Sequence, residues 1–489
     1  MSRDLEGMPD LPVGWEWTSF GDVLEEVAKV NPKENPENGF VYVDIESIDN
    51  RLMRITNPKH YKGKEAPSRA RQLIKSNDIL FSTVRTYLKN IALVSDDYDG
   101  QIASTGFCVI RPIEPINKKM VFYLVQTDGF VNPLSNIQRG SSYPAVRNSD
   151  IYEQIIPFPP ANEQHRIVAK IEELFTNLDA GVEGLKKIQA QIKRYRQAVL
   201  KYAFEGKLTA EWREAHKDEL EPAPVLLERI REERKKKLGS KYKEPPEVDT
   251  SALPELPEGW EWVSVSDVCH VVSGQTPSGI NEHTGSGEIP YYKVADMNRS
   301  GNEKYMYESG MSLTKDDAKR FGLHIRDEGT IIFPKRGGAI ATNKVRILSV
   351  LSAFDLNTMG ISPFVIPTLY VYYWFSTFNM ISFSDGSNVP QINHKDIEPL
   401  VFPLAPIEEQ DEIVREIERR LSIADEIQRV LEQSTKQSDR LRQSILKRAF
   451  EGKLVPQDPN DEPAELLLER IKEEGERQTV EVRVITHGK

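Results

Sequence analysis

Only two cysteines occur in 489 residues, Cys108 and Cys269. Two thiols supply neither a zinc site nor a disulfide framework, which implies a reducing, cytoplasmic setting. The eight histidines do not cluster at metal-ligand spacing. No glycine-rich phosphate loop is present: the nearest Gly-Lys pair, in A-F-E-G-K-L, lacks the upstream glycine. No N-P-P-Y or D-P-P-Y segment appears, of the kind an amino-methyltransferase needs to hold its base. The opening MSRDLEGMPD has no basic stretch followed by an apolar one, so it does not read as a signal peptide. Long hydrophobic runs are scarce too. Residues 356–384 carry no charge, but Pro363 and Pro367 interrupt them. A membrane-spanning helix needs about 20 predominantly apolar residues, so this segment predicts a buried aromatic-rich helix. Lone carboxylates such as Asp44 and Asp296 have no partner at recognisable spacing and are expected in turns. What is missing describes a binder rather than a catalyst.

What is present is a duplication. L-P-V-G-W-E-W at 11–17 returns as L-P-E-G-W-E-W at 256–262, and A-F-E-G-K-L at 203–208 returns unchanged at 449–454. Between them, Gly140–Ile151 (GSSYPAVRNSDI) aligns with Gly386–Ile397 (GSNVPQINHKDI) at an offset of 246. Internal repeats of this kind suit a target that itself has two parts. Trp15, Trp17, Trp260 and Trp262 lie in the repeated opening and are expected to be packing anchors.

Charge is lacking in one sense only. The whole chain is acidic, at −11, yet binding depends on local charge. Residues 51–90 hold Arg51, Arg54, Lys59, Lys62, Lys64, Arg69, Arg71, Lys75, Arg85 and Lys89 against Glu65 and Asp78. Residues 319–346 hold Lys319, Arg320, Arg326, Lys335, Arg336, Lys344 and Arg346 against Asp327 and Glu328. Either stretch alone would read as a solvated face; two in corresponding parts of a duplication put a nucleic-acid surface on an equal footing with that reading.

The order within each half is the same. The segments 1–160 and 256–406 carry strand signals such as FVYVDI, DILFSTV, IALV, TIIF and KVRIL, which predict mixed sheets. A proline-rich exit and a long helix follow. In the first helix Ile171, Leu174, Leu178, Leu185, Ile188, Ile192, Tyr195, Val199 and Tyr202 follow a heptad seam, with Gly181 at the missing position. The second keeps the phase with Ile417, Arg420, Ala424, Ile427, Leu431, Ser434, Ser438, Leu441, Ile445 and Arg448. Two matching stripes predict an antiparallel pair and an internal pseudo-two-fold, with Ser434 and Ser438 opposite Ile and Tyr side chains. The fold class is therefore α+β: two similar mixed α/β domains joined by two long antiparallel coiled-coil helices. The helical regions are 161–237 and 407–489, and 238–255 reads as a linker. Each contains a short amphipathic helix, at 221–237 and 462–478, that either caps the structure or offers a docking edge to a partner.

This arrangement resembles the specificity subunit of type I restriction–modification enzymes. The markers are L-P-x-G-W, the exits P-F-P-P-A-N-E-Q-H-R-I-V and P-L-A-P-I-E-E-Q-D-E-I-V, and A-F-E-G-K-L. The resemblance implies two target recognition domains, each reading one half of a split, asymmetric site in double-stranded DNA. It implies helices that measure the spacer and dock two methyltransferase subunits, to which restriction subunits add. It implies no catalytic residues here, with S-adenosylmethionine, ATP and magnesium on the partners. Two other readings compete: a coiled-coil scaffold that binds proteins, and a fused enzyme active alone.

Residue chemistry narrows the DNA contacts. The loop after DILFSTV offers Arg85, Tyr87 and Lys89, and that after TIIF offers Lys335, Arg336, Gly337 and Gly338. Glycines let backbone approach phosphate, and arginine can bind guanine through two hydrogen bonds. The Gly140 loop adds Ser141, Ser142, Tyr143 and Arg147. The Gly386 loop adds Asn388, Gln391, Asn393, His394 and Lys395, of which Asn and Gln suit adenine edges.

Overall fold

A computed structural model describes residues 8–487 apart from residues 246 and 284. The first seven residues, within the stretch read for a signal peptide, lie outside it. The chain forms two compact units: 1–186 with 432–489, and 187–431. It crosses from one to the other twice, each time inside a long helix, Ala161–Phe204 or Ile407–Phe450.

In the first unit the opening strand Glu16–Ser19 pairs antiparallel with the exit strand Ile155–Phe158. Between them lies a four-stranded mixed sheet in the order Lys59–Lys62, Gly39–Val43, Ile102–Ser104, Ala70–Leu73. A three-stranded antiparallel sheet, Phe107–Ile110, Ile79–Ser82 and Ile91–Leu93, runs through the core. Every residue of Ile79–Ser82 is buried, which explains its unbroken apolar run.

The second unit repeats the closing pair, with Glu261–Ser264 on Val401–Leu404. Its larger sheet has five strands, in the order Cys269–Ser273, Thr358–Pro363, Ile331–Pro334, Arg346–Leu348, Tyr305–Met306. The uncharged segment gives helix Thr368–Phe375, which buries Tyr370, Tyr373, Trp374 and Phe375. Among the described residues no helix is long and apolar enough to cross a membrane.

Each unit is completed by the other copy's helix end, for a physical reason visible in the repeated motifs. In the first unit Pro12 packs on Gly452, where a Cβ would lie 2.2 Å from its ring; in the second, Pro257 packs on Gly206 at 2.3 Å. Both glycines have φ of +65°, so close approach and backbone conformation both require glycine. The short helices dock the same way. Ala464 N donates to Gly14 O and Ala223 N donates to Gly259 O, both at 2.8 Å. Leu467 and Ile471 join the core of the first unit, and Leu226, Leu227 and Ile230 join that of the second. Their apolar edges are thus packed on the recognition domains. The second short helix, Ala464–His487, runs beyond the expected 478.

A buried carboxylate fastens each closure. Glu163 accepts Trp15 Nε1 at 2.9 Å and the Gln457 side chain at 3.2 Å. Glu409 accepts Trp260 Nε1 at 2.8 Å, with Thr209 Oγ1 and Arg213 both at 2.7 Å. Burial lifts the Glu163 carboxyl above its ordinary range, and the Trp15 and Gln457 hydrogen bonds partly offset this. Removing one partner of such a buried pair strands the others, at about 3–5 kcal/mol. Glu409→Ala should therefore unfold the second unit at lower denaturant while leaving the first near its original midpoint, as limited proteolysis along a urea series would show.

The long helices run antiparallel within each unit. Asp179 pairs with Arg442 in the first, and Arg196 with Asp425 at 2.5 Å in the second. These two ion pairs are each other's equivalents at the repeat offset of 246. One arm of the seam is as the heptad reading has it: Ile171, Ile192 and Val199 are buried, as are Ile417, Ala424 and Leu431. The other arm is shifted by one residue. Tyr195 is 41% exposed, Tyr202 51%, and Ile188, Ile427 and Leu441 are also exposed, whereas Phe175, Val182 and Arg196, with Leu421, Gln428 and Arg442, are partly buried and Ala203 and Ala449 fully so. The inner line carries Arg and Gln beside apolar residues, so an apolar pattern alone picks its neighbour.

Candidate nucleic-acid interface

In the first recognition domain the chain leaves the buried strand Ile79–Ser82 and runs beside the Gly140 loop. Val84 bridges Ala145, Val146 N donates to Thr83 O at 2.9 Å, and Arg85 N donates to Pro144 O at 2.7 Å. Two segments found separately in the sequence thus form one rim. Arg85 turns into the left-handed region at φ +50°, donates from Nη2 to Ser142 O at 3.1 Å and lies 5.2 Å over the Tyr143 ring. Tyr143 is 73% exposed, and Ser141, Ser142 and Arg147 are exposed beside it.

The basic stretch separates into two sets. Lys59 sits at 2.6 Å from Asp44 and 3.2 Å from Glu46, and the Asp44 hydrogen bond raises its pKa. Lys62 and Lys64 both face Glu37. Lys89 donates to Gln126 O at 2.9 Å and to Asp128 at 2.7 Å, so it anchors its own turn. Arg71 donates to Ala70 O at 3.0 Å. Arg51, Arg54, Arg69 and Lys75 are exposed and carry no ion pair among the described residues.

The second recognition domain joins the same two segments. Arg336 bridges Gln391, Gly337 N donates to Pro390 O at 2.8 Å, and Ile392 N donates to Lys335 O at 2.9 Å. Gln391 donates to Asn393 Oδ1 at 2.9 Å, and Asn388 and Lys395 are exposed. Sequence reasoning missed the group at the centre. Ser273 Oγ takes Lys335 Nζ at 3.2 Å and pairs with His394 Nε2 at 3.1 Å, while Glu398 meets His394 Nδ1 at 3.1 Å. Arg326 reaches the Ser273 carbonyl at 3.5 Å. Burial depresses both Lys335 and Arg326, with Arg336 adding like-charge repulsion at Lys335. Asp355 and Asp327 act on Lys335 and Arg326 from a distance, but neither cation forms an ion pair among the described residues. Ser273 carries no signal in the sequence, because it closes a different strand.

Two expected contacts are occupied within the domain. Arg346 is half-buried and donates to Val345 O at 2.8 Å and Met297 O at 3.3 Å. Lys344 donates to Asn298. Trp15 and Trp260 are buried anchors, as expected of them. Asp44 caps the turn Ile45–Ser47, and Asp296 accepts Lys293 N and pairs with Arg299, so both are turn residues. The cysteines are buried and unpaired, the Cys108 thiol pushed up to about 12 by burial. Among the described residues no cluster of His, Cys, Asp or Glu could hold a metal.

Comparison with known proteins agrees with this architecture. The family model described as the type I restriction modification DNA specificity domain matches twice, at 12–194 and 257–433. The chain is 26% identical to the EcoDI specificity subunit of Escherichia coli over 376 residues, covering 74% of this chain and 78% of that one. It is 25% identical to the EcoKI specificity subunit of Escherichia coli K12, covering 76% and 74%. A solved structure concerned with complex assembly and conformational transition of the type I R–M system aligns with TM-score 0.66 at 29% identity. That alignment covers 91% of this chain and all of the other. The HsdS subunit from Thermoanaerobacter tengcongensis aligns at 29% identity with TM-score 0.50, over 92% and 99%. With two specificity domains, the chain belongs to the type I restriction–modification specificity-subunit family and is its DNA-recognition, non-catalytic component.

Proposed function

We propose that each recognition domain reads one part of a bipartite, asymmetric DNA target. The helices fix the spacing and dock two methyltransferase subunits, to which restriction subunits add. S-adenosylmethionine, ATP and magnesium belong to those partners. One observation carries the reading: in both domains the loop leaving the central buried strand is tied to the Gly140 or Gly386 loop, setting Arg85 or Arg336 on the rim. An arginine held there can bind a guanine edge through two hydrogen bonds, while unpaired cations place the backbone. Arg51, Arg54, Arg69 and Lys75 suit phosphate in the first domain. Lys335 and Arg326 around Ser273 suit it in the second, since an arriving anion would satisfy two desolvated cations at once. Lys59, Lys62, Lys64, Lys89, Lys344 and Arg346 are each engaged by groups within the domain, so a phosphate would have to compete for them, and they rank below the unpaired cations.

Binding at several salt concentrations tests this. Changing Arg69, Arg71 and Lys75 together to Ala should weaken all duplexes alike and reduce the log–log salt slope by roughly 0.9 for each phosphate that is no longer neutralised. Arg85→Ala or Arg336→Ala should instead relax one base position, by about 1–3 kcal/mol. An unchanged slope in the triple variant would remove 69–75 from the interface. Binding without any salt dependence would favour a protein scaffold.

A further inference from the structure

The first recognition domain also presents an apolar tip that recognition by hydrogen bonds does not need. The turn Thr86–Leu88 is held between two non-glycine residues in the left-handed region, Arg85 and Lys89, each with φ of +50°. Such a conformation costs free energy and persists only where its surroundings enforce it. They do so here from three sides. Lys89 Nζ is fixed by Gln126 O and Asp128. The buried Thr86 hydroxyl bonds Ser135 and receives Gln138. Asn50 Nδ2 donates to Leu88 O at 2.8 Å.

All this anchoring leaves the tip itself bare. Tyr87 is 54% exposed and Leu88 40%, and Leu52, two residues beyond Asn50, is 61% exposed. Exposed apolar residues scattered singly need no explanation. Tyr87 and Leu88 are adjacent on a strained, tightly held turn that opens on Arg85, and the Asn50–Leu88 contact brings to it the chain segment that continues into the exposed Arg51 and Leu52. The nearby carboxylates are engaged: Asp49 by the Arg51 and Leu52 amides, Asp128 by Lys89. A rigid apolar point with exposed cations on the two segments that meet at it matches one occupant, a base step of duplex DNA, whose phosphates meet the cations while its stacked faces meet the point.

We propose that Tyr87 and Leu88 form a wedge that enters a base step of the bound half-site and unstacks it. The proposal rests on the reading of this domain as a DNA reader. The corresponding turn of the second domain carries no such tip: Gly337–Thr342 offers Gly337, Gly338 and Ala339, and its Ile340 is buried. The wedge is therefore placed in the half-site read by the first domain.

The test uses the full chain assembled with the methyltransferase of its system, on target duplexes carrying 2-aminopurine at successive positions. Binding of the unaltered protein should raise fluorescence at one step in one half-site, distinct from the target bases that the methyltransferase itself extrudes. Tyr87→Ala with Leu88→Ala should abolish the rise, keep the salt slope, and weaken binding to intact duplex about tenfold. A duplex with a mismatch at that step, already partly unstacked, should restore the variant's affinity and so show that it is folded. Tyr87→Phe should behave as the unaltered chain. If the unaltered protein binds with every step still stacked, or the double variant unstacks as well as the parent, the wedge is overturned while DNA recognition stands. If the unaltered protein binds no duplex, both fall.

Discussion

A fragment of residues 1–241 should form a dimer that directs modification to a palindrome. Cutting there removes 432–489 from the first unit, and with it Leu446, Ala449, Phe450, Ala464, Leu467 and Ile471. The fragment carries the matching set in its own tail: Leu200, Ala203, Phe204, Ala223, Leu226 and Ile230, the same residue type at every position. In the intact chain these close the second unit. In the fragment they are free to close the first recognition domain of another copy, with Gly206 taking Gly452's place under Pro12. Arg196 would likewise stand where Arg442 meets Asp179. Two identical recognition domains related by a true two-fold read only an inverted repeat. With methyltransferase subunits added, the modified site should be one half of the parental target, repeated, at close to the parental separation.

The converse fragment, 249–489, should dimerise less readily. Its helix line would be Ala424, Leu431, Ser438 and Ile445, against Leu178, Leu185, Ile192 and Val199 in 1–241. Light scattering and sequencing of modified sites would check both. A monomeric 1–241 fragment would contradict the exchanged helix ends, and a dimer modifying only the asymmetric parental site would contradict one domain per half-site.

Seven residues inserted into both long helices should lengthen the preferred spacer by about three base pairs. A helix rises about 1.5 Å per residue and duplex DNA about 3.4 Å per base pair. The structure supplies the place: near Ile188 and Ser434, where the chain passes between units. Insertion there leaves Asp179–Arg442 and Arg196–Asp425 intact within their own units and keeps the heptad seam in phase. The half-sites would also be rotated by roughly 100° about the duplex, so affinity should fall as the preference shifts. Two inserted residues should break the seam and lose binding to every spacer. Selection from a library of spacer lengths measures the shift, and an unchanged preference would end the ruler model.

The duplication, the mixed-sheet strands, the long helices and the aromatic core helix are all legible in the chain, because each is written in local periodicity or in direct repetition. Ile79–Ser82 and Ile331–Pro334 announce themselves as apolar runs. The loops after them announce themselves by charge. What local pattern cannot carry is which groups meet across long separations. Ser273 joins Lys335 and His394 only because the strand Cys269–Ser273 ends beside them. The number of basic residues could not separate Lys59, facing Asp44, from Arg69, which forms no ion pair among the described residues. The heptad pattern showed two apolar arms but not that the second seam line runs one residue later, through Arg196 and Arg442, which no apolar pattern marks. The repeat itself fixed that helix ends and domain openings come in matched pairs. Only tertiary structure decided that each opening is closed by the other copy's end, since Gly206 and Gly452 have the same neighbours in sequence and differ only in which proline packs on them.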